Sequence, residues 1–300
     1  MQKDIRDREW LTHEDILALN FIRRPVPFVF RRHYRAGLRS HILEVLRPED
    51  LTKETEGVES DSLTWFPRAR PLRMLRIFRT RFADLKAAKQ ELHTVKIVES
   101  YLSPDLMARS NEFLVDYETY GARDLLLCGL QEYVEGEILD PWGHMTHRHL
   151  TDLFKRMKPT AAHPGKNGPE MWLKTVKAYG GEFIERIKAM IREAGHVPDL
   201  AGVGNLLLTS EGRVRLVDIN NISEVSHDTD IRLDDRGYPV CDKSIEALSL
   251  LEQKLLNRSF DPTEKIYRTF LDPRRMRDVK EIERKFHMTV ESGYPAVAPD

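Results

Sequence analysis

Residues 195–225, GHVPDLAGVGNLLLTSEGRVRLVDINNISEV, are the stretch of this sequence that decides the fold. The apolar run Leu206–Leu208 is separated by a turn at residues 210–212 from a second apolar run that ends at Asp218, which predicts an antiparallel β-hairpin. In such a hairpin the residue before the first strand lies beside the residue after the second. The sequence therefore predicts that Asn205 and Asp218 converge.

A carboxamide and a carboxylate at one end of a hairpin supply hard oxygen ligands of the kind that Mg²⁺ takes when it carries nucleotide phosphates. This predicts a metal site formed by Asn205 and Asp218. The alternative interpretation is a surface hairpin whose Asn and Asp residues serve only its turns. The residue pattern by itself leaves both interpretations open.

The same stretch resembles the catalytic and metal-binding loops of the protein kinase-like superfamily, which includes the aminoglycoside and other small-molecule kinases. Asp199 matches the catalytic-loop aspartate, Asn205 the metal-binding asparagine, and Asp218 the aspartate of the Asp-Phe-Gly motif. The interval of thirteen residues from Asn205 to Asp218 is the usual one, whereas the interval of six from Asp199 to Asn205 is one residue longer than usual. Val197 and Pro198 stand where His-Arg or His-Gly is usual.

The resemblance implies an α+β, two-lobe protein kinase-like fold, with a small N-terminal β-sheet lobe that carries one long helix and a larger helical C-terminal lobe. The implied domains are an N-terminal extension (1–24), a small β-rich lobe (25–134), a helical lobe with the catalytic-type loop (135–272), and a charged C-terminal helix and tail (273–300). Apolar residues at helical spacing independently predict long helices over 81–102 and 169–194.

Residues 41–50, HILEVLRPED, predict the second strand of a hairpin that turns at Ala36 and Gly37, and they resemble the third strand of kinase-like proteins. In that strand a lysine grips the nucleotide phosphates, but this chain has Glu44, whose carboxylate repels a triphosphate unless a metal intervenes. Either another cation takes over the role, with Arg47 and Arg32 the nearest, or the protein no longer transfers phosphate.

Two further positions follow from the resemblance. Glu91, in the helix predicted over 81–102, matches the residue that pairs with the strand lysine; the alternative is an ordinary exposed glutamate. Glu132, Tyr133 and Val134 follow an apolar strand and resemble the hinge whose backbone groups receive adenine. The alternative there is a plain exit from a strand.

The polar first part of residues 51–80 predicts a flexible loop, and six arginines follow between positions 68 and 81, interleaved with apolar residues. This basic segment is able to bind RNA phosphates or an acidic partner. The favoured interpretation is a solvated helix face whose arginines pair with nearby carboxylates, so RNA is a possible partner but not the favoured one.

The amino-acid composition limits the classes of function that this chain can have. The chain has 300 residues, 41% of them hydrophobic and 32% charged, and a formal net charge of -1, which is typical of a globular protein without a global attraction to nucleic acid or anionic lipid. Cys128 and Cys241 lie far apart in sequence, which indicates free thiols in a reducing compartment. No apolar run predicts a signal peptide or a membrane span, so we expect a cytoplasmic protein with no membrane partner.

The expected function is therefore that of an ATP- and Mg²⁺-dependent phosphotransferase that acts on a hydroxyl acceptor, with Asp199 orienting the acceptor. The alternative is a non-catalytic pseudokinase that serves as a protein- or RNA-binding scaffold. Glu44 favours the alternative, whereas Asp199, Asn205 and Asp218 favour the enzyme. The sequence does not name the acceptor or a protein partner.

Overall fold

The computed structural model describes residues 4–34, 39–60, 62–119, 122–157 and 168–291. The chain divides into two compact units, the first comprising residues 1–93 and 108–133 and the second residues 94–107 and 134–300. Helices and antiparallel sheets both contribute, which confirms the α+β class.

The described part of the first unit contains a short 3-10 helix at Ile5–Asp7 and the following α-helices and strands. In chain order they are α1 (His13–Leu17), β1 (Val29–Arg32), β2 (Ser40–Leu46), α2 (Pro48–Glu56), β3 (Val58–Ser60), β4 (Leu63–Trp65), β5 (Arg73–Phe78), α3 (Leu85–Leu102, whose residues from 94 onward belong to the second unit), β6 (Ser110–Thr119) and β7 (Ala122–Glu132).

Five of these strands form one antiparallel sheet with the order β1-β2-β5-β7-β6. One face of the sheet buries an apolar cluster that includes Leu43, Leu75 and Ile77, together with Ile5 and Ile16 from the N-terminal residues. The sequence suggested residues 1–24 as an extension, but the described residues 4–24 contribute side chains to the core of this unit. The turn predicted at residues 36 and 37 lies outside the described residues.

Two expectations for residues 48–81 were wrong. Residues 48–56 form helix α2, which begins with Pro48 in its first turn, and residues 58–65 form the hairpin β3-β4, so this part is not a loop. The basic segment contributes strand β5 to the middle of the sheet instead of a helix. Because β5 is buried on both faces from Met74 to Phe78, its sequence lacks the polar-apolar alternation that marks a half-buried strand.

The second unit contains ten further elements. They are β8 (Glu137–Ile138), α4 (His147–Arg156), α5 (Pro169–Ala194), β9 (His196–Pro198), β10 (Leu206–Leu208), β11 (Val214–Leu216), β12 (Ile222–Glu224), α6 (Val240–Lys254), α7 (Lys265–Phe270) and α8 (Pro273–Glu291).

Helices α5 and α6 and the short strands share one apolar cluster that includes Phe183, Leu206 and Leu248. Helix α5 has the predicted bounds, and Gly195 ends it at a φ of 66°, where its N–H donates to the carbonyl of Ile191. In the described part of the chain no helix is long and apolar enough to cross a membrane.

Candidate functional site

The hairpin β10-β11 sets the position of the two predicted metal ligands. Leu206 pairs with Leu216, and the N–H of Val217 donates to the carbonyl of Asn205 over 2.8 Å. Asn205 and Asp218 therefore leave the hairpin at the same end, as its strand register predicts. The local sequence explains this geometry, because a Gly212 at φ 80° closes the turn.

A second pair of strands brings Asp199 to the same place. Strand β9 pairs with β12, and the N–H of Asp199 donates to the carbonyl of Asn221 over 2.8 Å. One carboxylate oxygen of Asp199, Oδ1, accepts the N–H groups of Ala201 at 2.9 Å and Gly202 at 3.0 Å. These bonds fix Oδ1 against the backbone of its own loop and leave Oδ2 as the other acceptor of the carboxylate.

Asn205 closes the loop that Asp199 opens. Its Nδ2 donates to the backbone carbonyl of Asp199 over 2.9 Å, so Oδ1 is the side-chain atom left for a cation. The amide also lies tightly over Gly202, where a Cβ atom would come within 2.4 Å of Nδ2. A larger residue at position 202 would therefore displace the side chain of Asn205 from this position.

The two carboxylates interact electrostatically. Burial and, to a smaller extent, the negative charge of Asp218 raise the pKa of Asp199 to about 6, against the opposing effect of the backbone hydrogen bonds from Gly202 and Ala201. A carboxylate whose ionised form is disfavoured, with a second carboxylate and a carboxamide oxygen beside it, forms a site that a cation would stabilise.

The Asp199 loop is held from the outside by two side chains of the second unit. The N–H of Leu200 donates to Oγ of Ser244 over 3.1 Å, and Nε1 of Trp142 donates to the carbonyl of Ala201 over 2.9 Å. The ammonium of Lys243 in turn lies 4.2 Å from the centroid of the Trp142 ring. Sequence analysis did not identify these supporting residues, because their distance from the loop in the chain gives no signal.

Tyr238 lies near the same carboxylates. Burial, a hydrogen bond of 2.8 Å to Glu283 and the charge of Asp199 all raise the pKa of the Tyr238 hydroxyl. The phenol therefore stays protonated and keeps donating to Glu283 of α8 at neutral pH.

The described residues contain no group of three or more His, Cys, Asp and Glu side chains that is arranged to hold a metal ion by itself. This does not conflict with the donor set of Asp218 and Asn205, because Mg²⁺ commonly takes one or two carboxylates from the protein and completes its shell with phosphates and water. The site suits a cation that arrives with its own ligands.

Glu44 is part of a buried ion-pair cluster in the first unit. It is 2% exposed, its Oε2 accepts Nε of Arg31 at 2.8 Å, and its Oε1 lies 2.8 Å from Nδ1 of His33. Burial opposes ionisation, but the hydrogen bonds from His33 and Arg31 hold the pKa of Glu44 below its usual value. Glu44 is thus an ionised carboxylate that already has hydrogen-bond partners within the first unit.

The strand that precedes helix α3 is β5, and it carries a buried cation that sequence analysis missed. Arg76 is 2% exposed and lies on the sheet face opposite the one that Leu75 and Ile77 give to the apolar cluster. Glu44 lies on the same face as Arg76. Sequence analysis missed Arg76 because residues 68–81 were interpreted as a solvated helix face, whereas residues 73–78 form a buried strand.

The other predicted positions in the first unit have ordinary local roles. Arg47 is exposed and directly precedes α2, and its carbonyl accepts the N–H groups of that helix's first turn. Glu91 is partly buried within α3. The N–H of Glu132 donates to the carbonyl of Arg109 over 2.8 Å, so this donor of the predicted adenine site is already used.

Comparison with known proteins gives no match, either to a protein-family model or to a curated protein. The function of this chain is therefore inferred from the chemistry of its own residues.

Proposed function

We propose that this chain has a two-lobe protein kinase-like fold and binds ATP with Mg²⁺, as a phosphotransferase that acts on a hydroxyl acceptor. The observation that carries the proposal is the placement of Asp199, Asn205 and Asp218 at the shared end of two strand pairs. Two neighbouring carboxylates, of which Asp199 has a raised pKa, and a carboxamide oxygen fit a divalent cation that brings phosphates with it.

The residues have separate roles in this proposal. Asp218 and Oδ1 of Asn205 hold Mg²⁺, which when bound neutralises charge on the nucleotide phosphates. Asp199 has a raised pKa of about 6, so it is mostly ionised at neutral pH yet basic enough to accept a proton from an acceptor hydroxyl. Its Oδ2 takes this role, because Oδ1 already accepts two backbone N–H groups.

Two further roles are proposed for residues outside the metal site. The backbone of Glu132 and Tyr133 in the first unit, and of Val134 directly after them, supplies adenine contacts, with the carbonyl groups replacing the N–H of Glu132, which is already bonded. Within the first unit, Arg76 takes the place of Arg47 as the candidate cation that pairs with Glu91, because it is buried in the strand before α3.

Calorimetric titration of ATP, with and without Mg²⁺, tests the metal assignment. Asp218→Ala should weaken Mg²⁺-dependent ATP binding by at least about tenfold, since it removes the carboxylate placed on the metal, whereas Asp278→Ala, an exposed helix carboxylate, should not change it. Equal affinities for all three proteins would contradict the metal assignment, and a wild type that binds no ATP would contradict the proposal.

ATP turnover distinguishes the enzyme from the pseudokinase alternative. Asp199→Asn should retain Mg²⁺-dependent ATP binding but lose turnover, because the amide cannot accept the hydroxyl proton. A wild type that binds ATP with Mg²⁺ and turns over none of it with water or hydroxyl acceptors would favour the scaffold function.

A further inference from the structure

The turn at residues 140–143 of the second unit places a tryptophan against the Asp199 loop. Nε1 of Trp142 donates to the backbone carbonyl of Ala201 over 2.9 Å, although the two residues are 59 positions apart in the chain. The ring of Trp142 also packs against the apolar cluster of this unit. Apolar packing does not need the indole N–H, so the hydrogen bond to Ala201 is a separate feature of this residue.

Trp142 and Asp199 bind the two ends of one peptide group. The carbonyl of Ala201 and the N–H of Gly202 belong to the same planar peptide, which Trp142 contacts at its oxygen. At its nitrogen, the N–H donates to Oδ1 of Asp199 over 3.0 Å. Because the group is rigid, a bond that fixes the direction of the C=O also fixes the direction of the N–H. Accepting a hydrogen bond at the oxygen also polarises the N–H and strengthens its bond to the carboxylate.

This peptide group determines how the carboxylate of Asp199 is held. Oδ1 accepts two N–H groups, from Ala201 at 2.9 Å and from Gly202 at 3.0 Å. If the peptide of Gly202 turned, Oδ1 would lose one of these two donors, and the carboxylate would be free to rotate. The bond from Trp142 opposes this turn, and it thereby keeps Oδ2 as the oxygen that Asp199 presents to a ligand.

The backbone of Trp142 is fixed by Lys254 at the end of α6. The ammonium of Lys254 donates to three successive carbonyls, those of Pro141 at 2.9 Å, Trp142 at 3.2 Å and Gly143 at 3.0 Å. These bonds use all three N–H groups that an ammonium has. On the other side of the turn, the N–H of Trp142 donates to Oδ1 of Asp140 over 3.0 Å. The backbone donor and acceptor of Trp142 are therefore both bonded.

A second lysine of α6 holds the ring of Trp142. The ammonium of Lys243 lies 4.2 Å from the ring centroid, a distance at which a cation is attracted to an aromatic face. Two carboxylates keep the ammonium there, Glu246 at 2.7 Å and Glu283 at 3.0 Å, and the side chain of Lys243 is 5% exposed. With the backbone held by Lys254 and the ring by Lys243, the direction of Nε1 is fixed.

From these contacts we propose that Trp142 is a positioning residue for Asp199, and that Lys254 and Lys243 hold it in this role. Trp142 acts on Asp199 through the peptide group of Gly202 and sets the orientation in which Oδ2 meets the hydroxyl of the acceptor. The effect on the reaction rests on the proposed phosphotransferase function, whereas the effect on the loop does not. The two effects are therefore tested by separate measurements.

Trp142→Phe is the test variant, because it removes the indole N–H and keeps an aromatic ring beside Lys243. Trp172→Phe is the matched control. Nε1 of Trp172 also donates to a backbone carbonyl, that of Thr209 over 3.2 Å, and its ring packs in the same apolar cluster. Both variants lose one bond of the same kind, but only Trp142 contacts the Asp199 loop. Circular dichroism and urea unfolding establish that both variants are folded and compare their stabilities.

Amide hydrogen exchange, followed by NMR without nucleotide, measures the effect on the loop. The N–H of Gly202 should exchange at least about tenfold faster in Trp142→Phe than in the wild type, and at the wild-type rate in Trp172→Phe. Lys254→Met should act in the same direction as Trp142→Phe, and it replaces that variant in the test if Trp142→Phe does not fold. Unchanged exchange at Gly202, or equal acceleration in Trp172→Phe, would overturn the proposal.

ATP turnover and calorimetry measure the effect on the reaction. Trp142→Phe should lower kcat at least about tenfold and leave the Kd of Mg²⁺·ATP unchanged, because a small misplacement of Asp199 affects proton transfer and not the metal ligand Asp218. Trp172→Phe should change neither. A Trp142→Phe protein with faster exchange at Gly202 but the kcat of the wild type would overturn the positioning role. A wild type that turns over no ATP would contradict the proposed function, and amide exchange alone would then decide on Trp142.

Discussion

Replacement of Asp199 by asparagine should stabilise the folded protein at neutral pH. Burial and the charge of Asp218 raise the folded-state pKa of Asp199 from 3.8 to about 6, so the ionised carboxylate is less stable in the folded chain than in the unfolded one. Asparagine keeps an oxygen at the Oδ1 position, where it still accepts the N–H groups of Ala201 and Gly202. The substitution removes the charge and preserves the loop.

The magnitude follows from the pKa difference between the two states. Well below pH 3.8 the carboxyl group is protonated in both states and contributes no penalty, whereas the penalty grows as the pH rises through the unfolded-state pKa and becomes constant above the folded-state pKa. A pKa raised from 3.8 to about 6 corresponds to about 3 kcal/mol at pH 8 and to less than about 1 kcal/mol at pH 4. We expect Asp199→Asn to gain most of this free energy of unfolding at pH 8.

Urea unfolding of wild type and Asp199→Asn between pH 4 and pH 8 measures the difference in their free energies of unfolding. The contributions of the other titrating groups are the same in both proteins and cancel in this difference. In the background of Asp218→Asn the gain from Asp199→Asn should be smaller, since part of the penalty is the repulsion between these two residues. A difference that is independent of pH, or a mutant less stable than wild type at pH 8, would refute the argument.

Three further predictions test other contacts. Glu44→Lys should destabilise the protein by about 3–5 kcal/mol in urea unfolding and should not raise its affinity for ATP, because it replaces the buried carboxylate that Arg31 and His33 contact with another cation; a stable variant with raised affinity would contradict this. Gly202→Ala should weaken Mg²⁺-dependent ATP binding in calorimetry while circular dichroism stays unchanged, since the new methyl group displaces Asn205; unchanged affinity would oppose the role of Asn205. Ser244→Ala should cost about 1–2 kcal/mol in thermal unfolding, because the N–H of Leu200 loses its acceptor; a neutral effect, or failure of threonine to rescue it, would contradict that assignment.

The local parts of the candidate site were predictable from the sequence. The hairpin at residues 206–216 follows from two apolar runs around a glycine turn, and its register alone places Asn205 beside the strand that leads to Asp218. Helix α5 was predicted with its observed end, because Gly195 marks the point where the backbone turns left-handed. Signals of this kind are contained within a few residues of the chain.

The sheet of the first unit was harder to predict, because its key features are tertiary. Strand β5 is buried on both faces and is rich in arginine, so neither polar-apolar alternation nor hydrophobicity distinguishes it from a helix. The partners of Glu44 come from pairing between strands, since Arg31 lies directly opposite Glu44 in the β1-β2 ladder. The predicted hairpin contains this strand pair. The resemblance to a lysine-bearing strand instead led to the interpretation of Glu44 as the replacement of a lysine.

Asp199 differs from two buried acids of the second unit in a way that bears on function. Asp242 pairs with the guanidinium of Arg275, and Glu252 pairs with Lys188, so these charges have cationic partners within the fold. Asp199 has backbone hydrogen bonds and a neighbouring carboxylate, and its raised pKa shows that its ionised form is destabilised in the folded chain. A neutral residue at position 199 would make the folded protein more stable at neutral pH. The presence of an acid at this position therefore supports a role that needs its charge or its proton affinity. A cation held by Asp218 and Asn205 would remove the repulsion, and for this reason added Mg²⁺·ATP should lower the pKa of Asp199.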